Sequence, residues 1–282
     1  MIAYLGTGLL GKGFVRALLS KGEQVRVWNR TRAKAEELAQ YGAVVCDSPE
    51  QAVQGATRIH LTLRDDDSVN EVLSAARSGM SSGAIIVDHT TTSVEGAVER
   101  TNAWKAEGFT YLHAPVFMGP PNALESTGYI MVSGDRGVVA QKMPSLEKMT
   151  GKVLDFGEET GRAAAIKLAG NLFLIAFTAG ISDMLSLAKS TGTPISDITA
   201  LFNEWNPGAM LPARLRRMTA GSYDSPSWEL AMARKDAGLM MAEAEKANRP
   251  LTVIPAAAAV MDKLIAEGFG NADWSVIAKD NI

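Results

Sequence analysis

Six residues near the start of the chain, GTGLLG (Gly6–Gly11), restrict its fold more than any other stretch. They follow the apolar run IAYL (2–5), which reads as a strand. They open LLGKGFVRALLSKG (9–22), whose apolar residues recur at helical spacing and stop at Gly22. A G-x-G-x-x-G turn between strand and helix is built to meet a dinucleotide. Gly6 permits the tight turn, Gly8 lets the backbone approach a pyrophosphate, and Gly11 lets the helix pack close to the strand. The helix N-terminus then faces the phosphates. This assigns Gly6, Thr7, Gly8, Leu9, Leu10 and Gly11 to the cofactor.

The next strand, QVRVWN (24–29), runs into Arg30 and Thr31. An NAD-selective site places an acidic residue here for the ribose hydroxyls. This chain has Asn29 followed by Arg30. A guanidinium binds a 2′-phosphate that a carboxylate would repel. Thr31 adds a hydroxyl or caps the following helix. Arg32 and Lys34 add charge nearby, so the expected cofactor is NADP (NADPH), held also by Asn29, Arg30 and Thr31.

The alternation continues to about residue 160. Helical patterns occupy 31–42, 47–54, 68–79 and 94–108, and strand patterns 43–46, 58–63, 84–90, 110–116, 129–134 and 152–157. Alternating strands and helices predict a parallel, doubly wound sheet. Beyond residue 161 strand patterns vanish, and long Ala/Leu/Met-rich segments are punctuated by Gly192, Pro194, Pro207, Pro226 and Pro250. The expected organisation is a nucleotide-binding α/β domain over 1–160 and an all-helical substrate or oligomerisation domain over 161–282. The first helix of the second part is apolar around most of its circumference, which predicts burial on several sides.

The net charge of −3 argues against a basic surface for nucleic acid or an anionic membrane. A single cysteine, Cys46, excludes an intrachain disulfide. With three histidines and no metal-ligand spacing, no metal is expected. The chain opens directly on a strand without a cleavable leader, and the apolar run 172–181 is shorter than the roughly 20 residues a bilayer needs. A cytoplasmic protein is the expectation.

GRAAAIKLAGN (161–171) poses a specific question. Lys167 and Asn171 lie one turn apart on an otherwise apolar helix, with Thr178 near the same stripe. A desolvated lysine has its pKa pulled down. It can give a proton to a carbonyl oxygen, or stabilise a developing alkoxide. The helix pattern alone leaves a snorkelling lysine equally open.

Taken in order, YLGTGLLGKGFVRALLSKGEQVRVWNRT (4–31), LTLRDDDSV (61–69), VDHTTTSVE (87–95), APVFMG (114–119), GRAAAIKLAGN (161–171) and ARKDAGLM (233–240) resemble the β-hydroxyacid dehydrogenases over nearly the whole length. That family includes 3-hydroxyisobutyrate dehydrogenase, glyoxylate/succinic semialdehyde reductases and the N-terminal region of 6-phosphogluconate dehydrogenase. The resemblance implies an α/β Rossmann domain followed by an all-α domain, joined by a long interdomain helix. It implies an oxidoreductase, a homodimer or homotetramer, that interconverts a small aldehyde or keto compound, such as a semialdehyde or glyoxylate-like acid, and its hydroxy compound. Lys167 takes the place of the acid/base lysine and Asn171 that of its partner. Thr90, Thr91, Phe117, Met118, Gly119 and Asp236 fall at substrate positions, and Leu63, Thr90 and Lys235 at cofactor positions.

The chain departs from the family at several of these places. Thr90 replaces a serine, Val94 a proline, and His113 an aspartate. Phe117-Met118-Gly119 replaces Ser-Gly-Gly and is followed by Pro120 and Pro121, which donate no N–H. The pocket is therefore expected to be drier. Arg214, Arg216 and Arg217 read as a solvated face or as a substitute carboxylate site. An imine reductase-like enzyme on neutral substrates is the alternative, although Asp or Tyr usually stands there at the position of Lys167. A non-catalytic NADPH-binding protein is the third reading.

Overall fold

A computed structural model describes residues 1–282. The chain divides into two compact units, residues 1–171 and 172–282.

The first unit is built on a six-stranded parallel sheet of order β3-β2-β1-β4-β5-β6. Its strands are β1 (Ile2–Leu5), β2 (Val25–Trp28), β3 (Val44–Val45), β4 (Arg58–Leu61), β5 (Ile85–Asp88) and β6 (Thr110–His113). Between them run α1 (Leu9–Ser20), α2 (Arg32–Glu36), α3 (Pro49–Val53), α4 (Asp66–Ala76) and α5 (Val94–Ala106). Central strands β1 and β5 are buried along their whole length, which is why IAYL and IIVD read as continuous rather than alternating runs. The helices start where side chains satisfy free N–H groups. Ser48 accepts from Gln51 N at 3.1 Å, Asp65 from Ser68 N at 2.9 Å and Ser93 from Gly96 N at 3.0 Å. The strand order reverses at β1, between β2 and β4, and ligands bind such sheets beyond the strand ends there.

The segment expected as one strand over 110–116 breaks at Ala114-Pro115. It resumes as β7 (Val116–Phe117), which pairs antiparallel with β8 (Tyr129–Val132); β8 in turn pairs parallel with β9 (Lys152–Asp155). The strands expected at 129–134 and 152–157 thus form a separate three-stranded sheet. Two helices, α6 (Pro120–Glu125) and α7 (Arg136–Leu146), occupy stretches without a helical pattern in the sequence. Prolines start the first, and Asp135 caps the second through Gly137 and Val138.

The long helix α8 (Arg162–Ser190) continues into the second unit. The boundary expected after residue 160 falls instead after Asn171, because the start of α8 packs with the sheets: Ala163 N–H donates to Ser133 Oγ at 3.0 Å. The second unit adds α9 (Ile195–Glu204), α10 (Leu211–Ala220), α11 (Leu230–Lys246) and α12 (Ile254–Leu264). Leu230, Met261, Leu264 and Val276 form its core. The Asp183 carboxylate of α8 accepts from the backbone N–H groups of Thr252, Val253 and Ile254 and so anchors the start of α12.

Within the single chain α8 is not covered on all sides: Leu172 is 70% and Ile175 71% exposed. It also extends well beyond residues 172–181, so by length and composition it is apolar enough to cross a membrane, with a mean hydropathy of 1.7 over its best window.

Candidate active site

A cavity of about 530 Å³ opens at the switch point of the sheet. Gly6, Gly8, Leu9, Leu10, Asn29, Arg30, Thr31, Leu63, Thr90, Thr91, Met118 and Lys167 all line it. Residues from six separated segments of the sequence thus meet around one space.

The glycine turn suits a dinucleotide. A Cβ on Gly6 or Gly11 would collide with the backbone of Thr62 or of Gly6, so turn and helix are as close as glycine allows. At Gly8 an added Cβ would meet nothing within 4 Å, so the backbone there is open to a ligand. No side chain caps α1 at Gly8, which leaves its first N–H groups available for phosphate. Thr7 is buried beneath the turn. Its N–H donates to Asn29 Oδ1 at 3.0 Å, and its hydroxyl has no partner. Asn29 also donates to the Thr31 carbonyl at 2.9 Å. Asn29 therefore ties the turn after β1 to the turn after β2. Arg30 reaches into solvent and pairs with Glu71. Thr31 does not cap α2, so its hydroxyl stays free. Lys34 joins Arg30 on the cavity wall, whereas Arg32 pairs with Glu36 and Asp47.

Behind the cavity a buried network holds the segment after β5. Tyr111 Oη donates to Asp88 Oδ2 at 2.6 Å, and Thr90 N–H donates to Asp88 Oδ1 at 2.9 Å. Arg100 donates to Tyr111 Oη and to Asp66. With its backbone fixed, Thr90 accepts a hydrogen bond from Leu63 N–H on its hydroxyl at 3.0 Å. His113, which stands where the family has an aspartate, is buried and donates from Nε2 to the Thr90 carbonyl at 2.9 Å.

His60 and His89 form a pair that sequence reasoning missed. Their rings stack at 5.3 Å between Tyr4 and Phe14. The Ala114 carbonyl can only accept, so His89 Nδ1 carries a proton toward it at 2.7 Å. His89 Nε2 must then accept from His60 Nδ1 at 3.0 Å, which leaves His60 Nε2 buried without a partner. Burial pushes both rings below the ordinary histidine range, His89 down to about 4. His89 therefore presents a neutral face to the cavity.

Lys167 is 9% exposed. Its Nζ donates to Asn171 Oδ1 at 3.0 Å and lies 4.2 Å from the centre of the Phe117 ring. Burial lowers its pKa from the ordinary lysine value. Gly119 N–H is already bonded to Asn122 Oδ1 at 2.9 Å, so the turn has lost one donor expected for a substrate. In the second unit, Lys235 pairs with Asp236 at 2.8 Å. Arg217 lies 3.3 Å from the buried Asp273 carboxylate, and Arg214 stacks on Trp274 at 4.3 Å. Both arginines have structural partners.

Residues 1–157 match the family described as the NAD-binding domain of 6-phosphogluconate dehydrogenase. Over the full chain, the sequence is 27% identical to the uncharacterized oxidoreductase YfjR of Bacillus subtilis (strain 168), covering 99% of this chain and 98% of that protein. It is 26% identical to glyoxylate/succinic semialdehyde reductase 1 of Arabidopsis thaliana, covering 98% and 96%. Its fold matches an imine reductase from Myxococcus stipitatus in complex with NADP+, with a TM-score of 0.93, 22% identity and 99% of each chain covered.

Proposed function

Because the chain belongs to the family defined by the NAD-binding domain of 6-phosphogluconate dehydrogenase and is an NAD(P)-dependent, β-hydroxyacid dehydrogenase-like oxidoreductase, we propose that it uses NADPH to reduce a small aldehyde or keto compound to the hydroxy compound. The observation that carries this reading is the buried Lys167, bonded to Asn171, on the wall of the same cavity as the glycine turn and Arg30. When bound, the nicotinamide supplies the hydride. Gly6–Gly11 would hold the pyrophosphate, and Arg30, Thr31 and Lys34 the 2′-phosphate. Lys167 gives its proton to the carbonyl oxygen as negative charge develops there, and takes one from the alcohol in the reverse direction. Asn171 fixes the direction in which the ammonium points, and Thr90 and Thr91 flank the substrate.

The preference for NADPH rests on Arg30 in place of a carboxylate. Arg30→Glu is expected to lower kcat/KM with NADPH by on the order of 100-fold while activity with NADH persists, because a carboxylate repels the phosphate that the guanidinium binds. A variant with an unchanged NADPH-to-NADH ratio contradicts the assignment.

We also infer a cytoplasmic homo-oligomer. The exposed stretch of α8 includes Leu172, Ile175 and Phe177, the kind of apolar surface that a second copy covers. A bilayer fits it less well. Lys167, Asn171 and Asp183 all have polar partners, which leaves residues 172–182, about 16 Å at 1.5 Å per residue, against a hydrocarbon core of about 30 Å. Sedimentation of the purified protein is expected to give a dimer or larger; a monomer at micromolar concentration would refute this.

A further inference from the structure

The surroundings of Lys167 in the first unit offer little to a negatively charged group, and three independent features make them so. First, the lysine ammonium is engaged twice, by Asn171 Oδ1 at 3.0 Å and by the face of Phe117 at 4.2 Å. A cation over an aromatic face is held there electrostatically. Second, the ring has a defined seat. Phe117 closes β7 and pairs with Tyr129, and its ring sits on Gly170, where a Cβ would run into the ring edge. Glycine at 170 leaves room for the ring on this face of α8, beside Lys167. Third, the turn after Phe117 is short of donors. Gly119 N–H is satisfied by Asn122, and Pro120 and Pro121 have none. Met118 and neutral His89 line the neighbouring wall.

We infer that the group next to the reacting carbon of the substrate is uncharged, and that Phe117, seated on Gly170 and covering Lys167, is the residue that sets this specificity. The inference rests on the reading of Lys167 as proton donor and narrows it to one substrate class: neutral aldehydes and ketones, rather than the glyoxylate-like acids that the resemblance implies. A carboxylate beside the carbonyl would have to pull the ammonium off the ring or rely on the neutral hydroxyls of Thr90 and Thr91, and burying a charge without a charged partner is unfavourable. A neutral group loses nothing there and gains apolar contact.

Two measurements test this. The first needs no turnover. Lysine side chains are labelled with ¹³C, and the Lys167 signal is identified by its loss in Lys167→Ala. The NADPH-loaded protein is then titrated with pH, with and without acetate. Acetate is expected to leave the Lys167 midpoint where it is in the wild type and to raise it in Phe117→Ser, where the ammonium is uncovered. The second compares kcat/KM for glyoxylate and for its neutral methyl ester. The wild type is expected to prefer the ester by about tenfold or more. Phe117→Ser is expected to narrow that ratio, whereas Phe117→Leu, which keeps apolar bulk, retains most of it. Acetate raising the Lys167 midpoint in the wild type overturns the inference, and so does glyoxylate turning over as well as its ester. If neither compound is reduced, the catalytic reading fails by itself, and the acetate titration still decides the role of Phe117.

Discussion

Lys167→Ala is expected to lower the rate of carbonyl reduction by on the order of 100-fold or more, the ordinary worth of a positioned acid. Affinity for NADPH should change little, since the glycine turn and Arg30 lie elsewhere on the cavity wall. The reason is geometric before it is electrostatic. Lys167 is held by Asn171 and Phe117 while it faces the cavity, so its proton is delivered from a fixed direction. Lys167→Arg should rescue little, because a guanidinium keeps its proton at all accessible pH values. Asn171→Ala should lose less than Lys167→Ala, since the lysine remains and only its orientation loosens. Direct NADPH binding by fluorescence, beside steady-state rates, separates these effects. A Lys167→Ala enzyme with near wild-type kcat would remove the lysine from the mechanism.

The second large effect is on stability at mildly acid pH. His60 and His89 are buried, and burial holds both below the unfolded-state value of about 6.5, His89 at about 4. Burial lowers His113 in the same way. Between these values the unfolded chain binds more protons than the folded one. Their contribution is therefore complete above about pH 6.5 and is lost as the pH falls toward 4. For His89 alone the difference is on the order of 3 kcal/mol. That is a large fraction of the stability of an ordinary domain. The urea midpoint of the cofactor-free protein is expected to fall steeply across this window. His60→Asn removes one titrating ring but keeps an N–H donor for His89, so it should start lower at neutral pH and decline less. A wild-type midpoint that stays flat down to pH about 4.5 contradicts the neutral, tautomer-locked pair.

The nucleotide-binding turns and the buried networks behind them differ in how far the sequence reveals them. The turns were legible because their signals are local. Gly6, Gly8 and Gly11 sit in a strand–turn–helix context, Asn29 and Arg30 follow the next strand, and both stretches are contiguous. Lys167 and Asn171 were legible for the same reason, being one turn apart on one helix. Asn29 was read as a cofactor contact. Only the fold reveals that it ties the two turns together, because its partner Thr7 is 22 residues away. The His60–His89 pair and the Asp88–Tyr111–Arg100–Asp66 network arise from the lateral order of β4, β5 and β6 and from α4 and α5 packing beside them. No spacing in the chain encodes that adjacency. The separate three-stranded sheet was missed because Pro115 interrupts what reads as one strand. Phe117 was seen as a bulky intruder, but its seat on Gly170 depends on α8 crossing β7. The exposure of α8 in the single chain was not legible, because apolarity marks surface that must be covered without saying by what.

The central claim, that Lys167 is the proton donor, is tested most directly by the pH dependence of kcat/KM for reduction of one neutral aldehyde with NADPH. The wild type should lose activity as pH rises through a pKa below the ordinary lysine value of about 10.4, since only the ammonium can give the proton. The ¹³C titration of Lys167 should show the same midpoint, and the residual activity of Lys167→Ala should lack that limb. A limb that persists in Lys167→Ala, or a Lys167 that titrates at its ordinary value with no matching change in rate, would contradict the account.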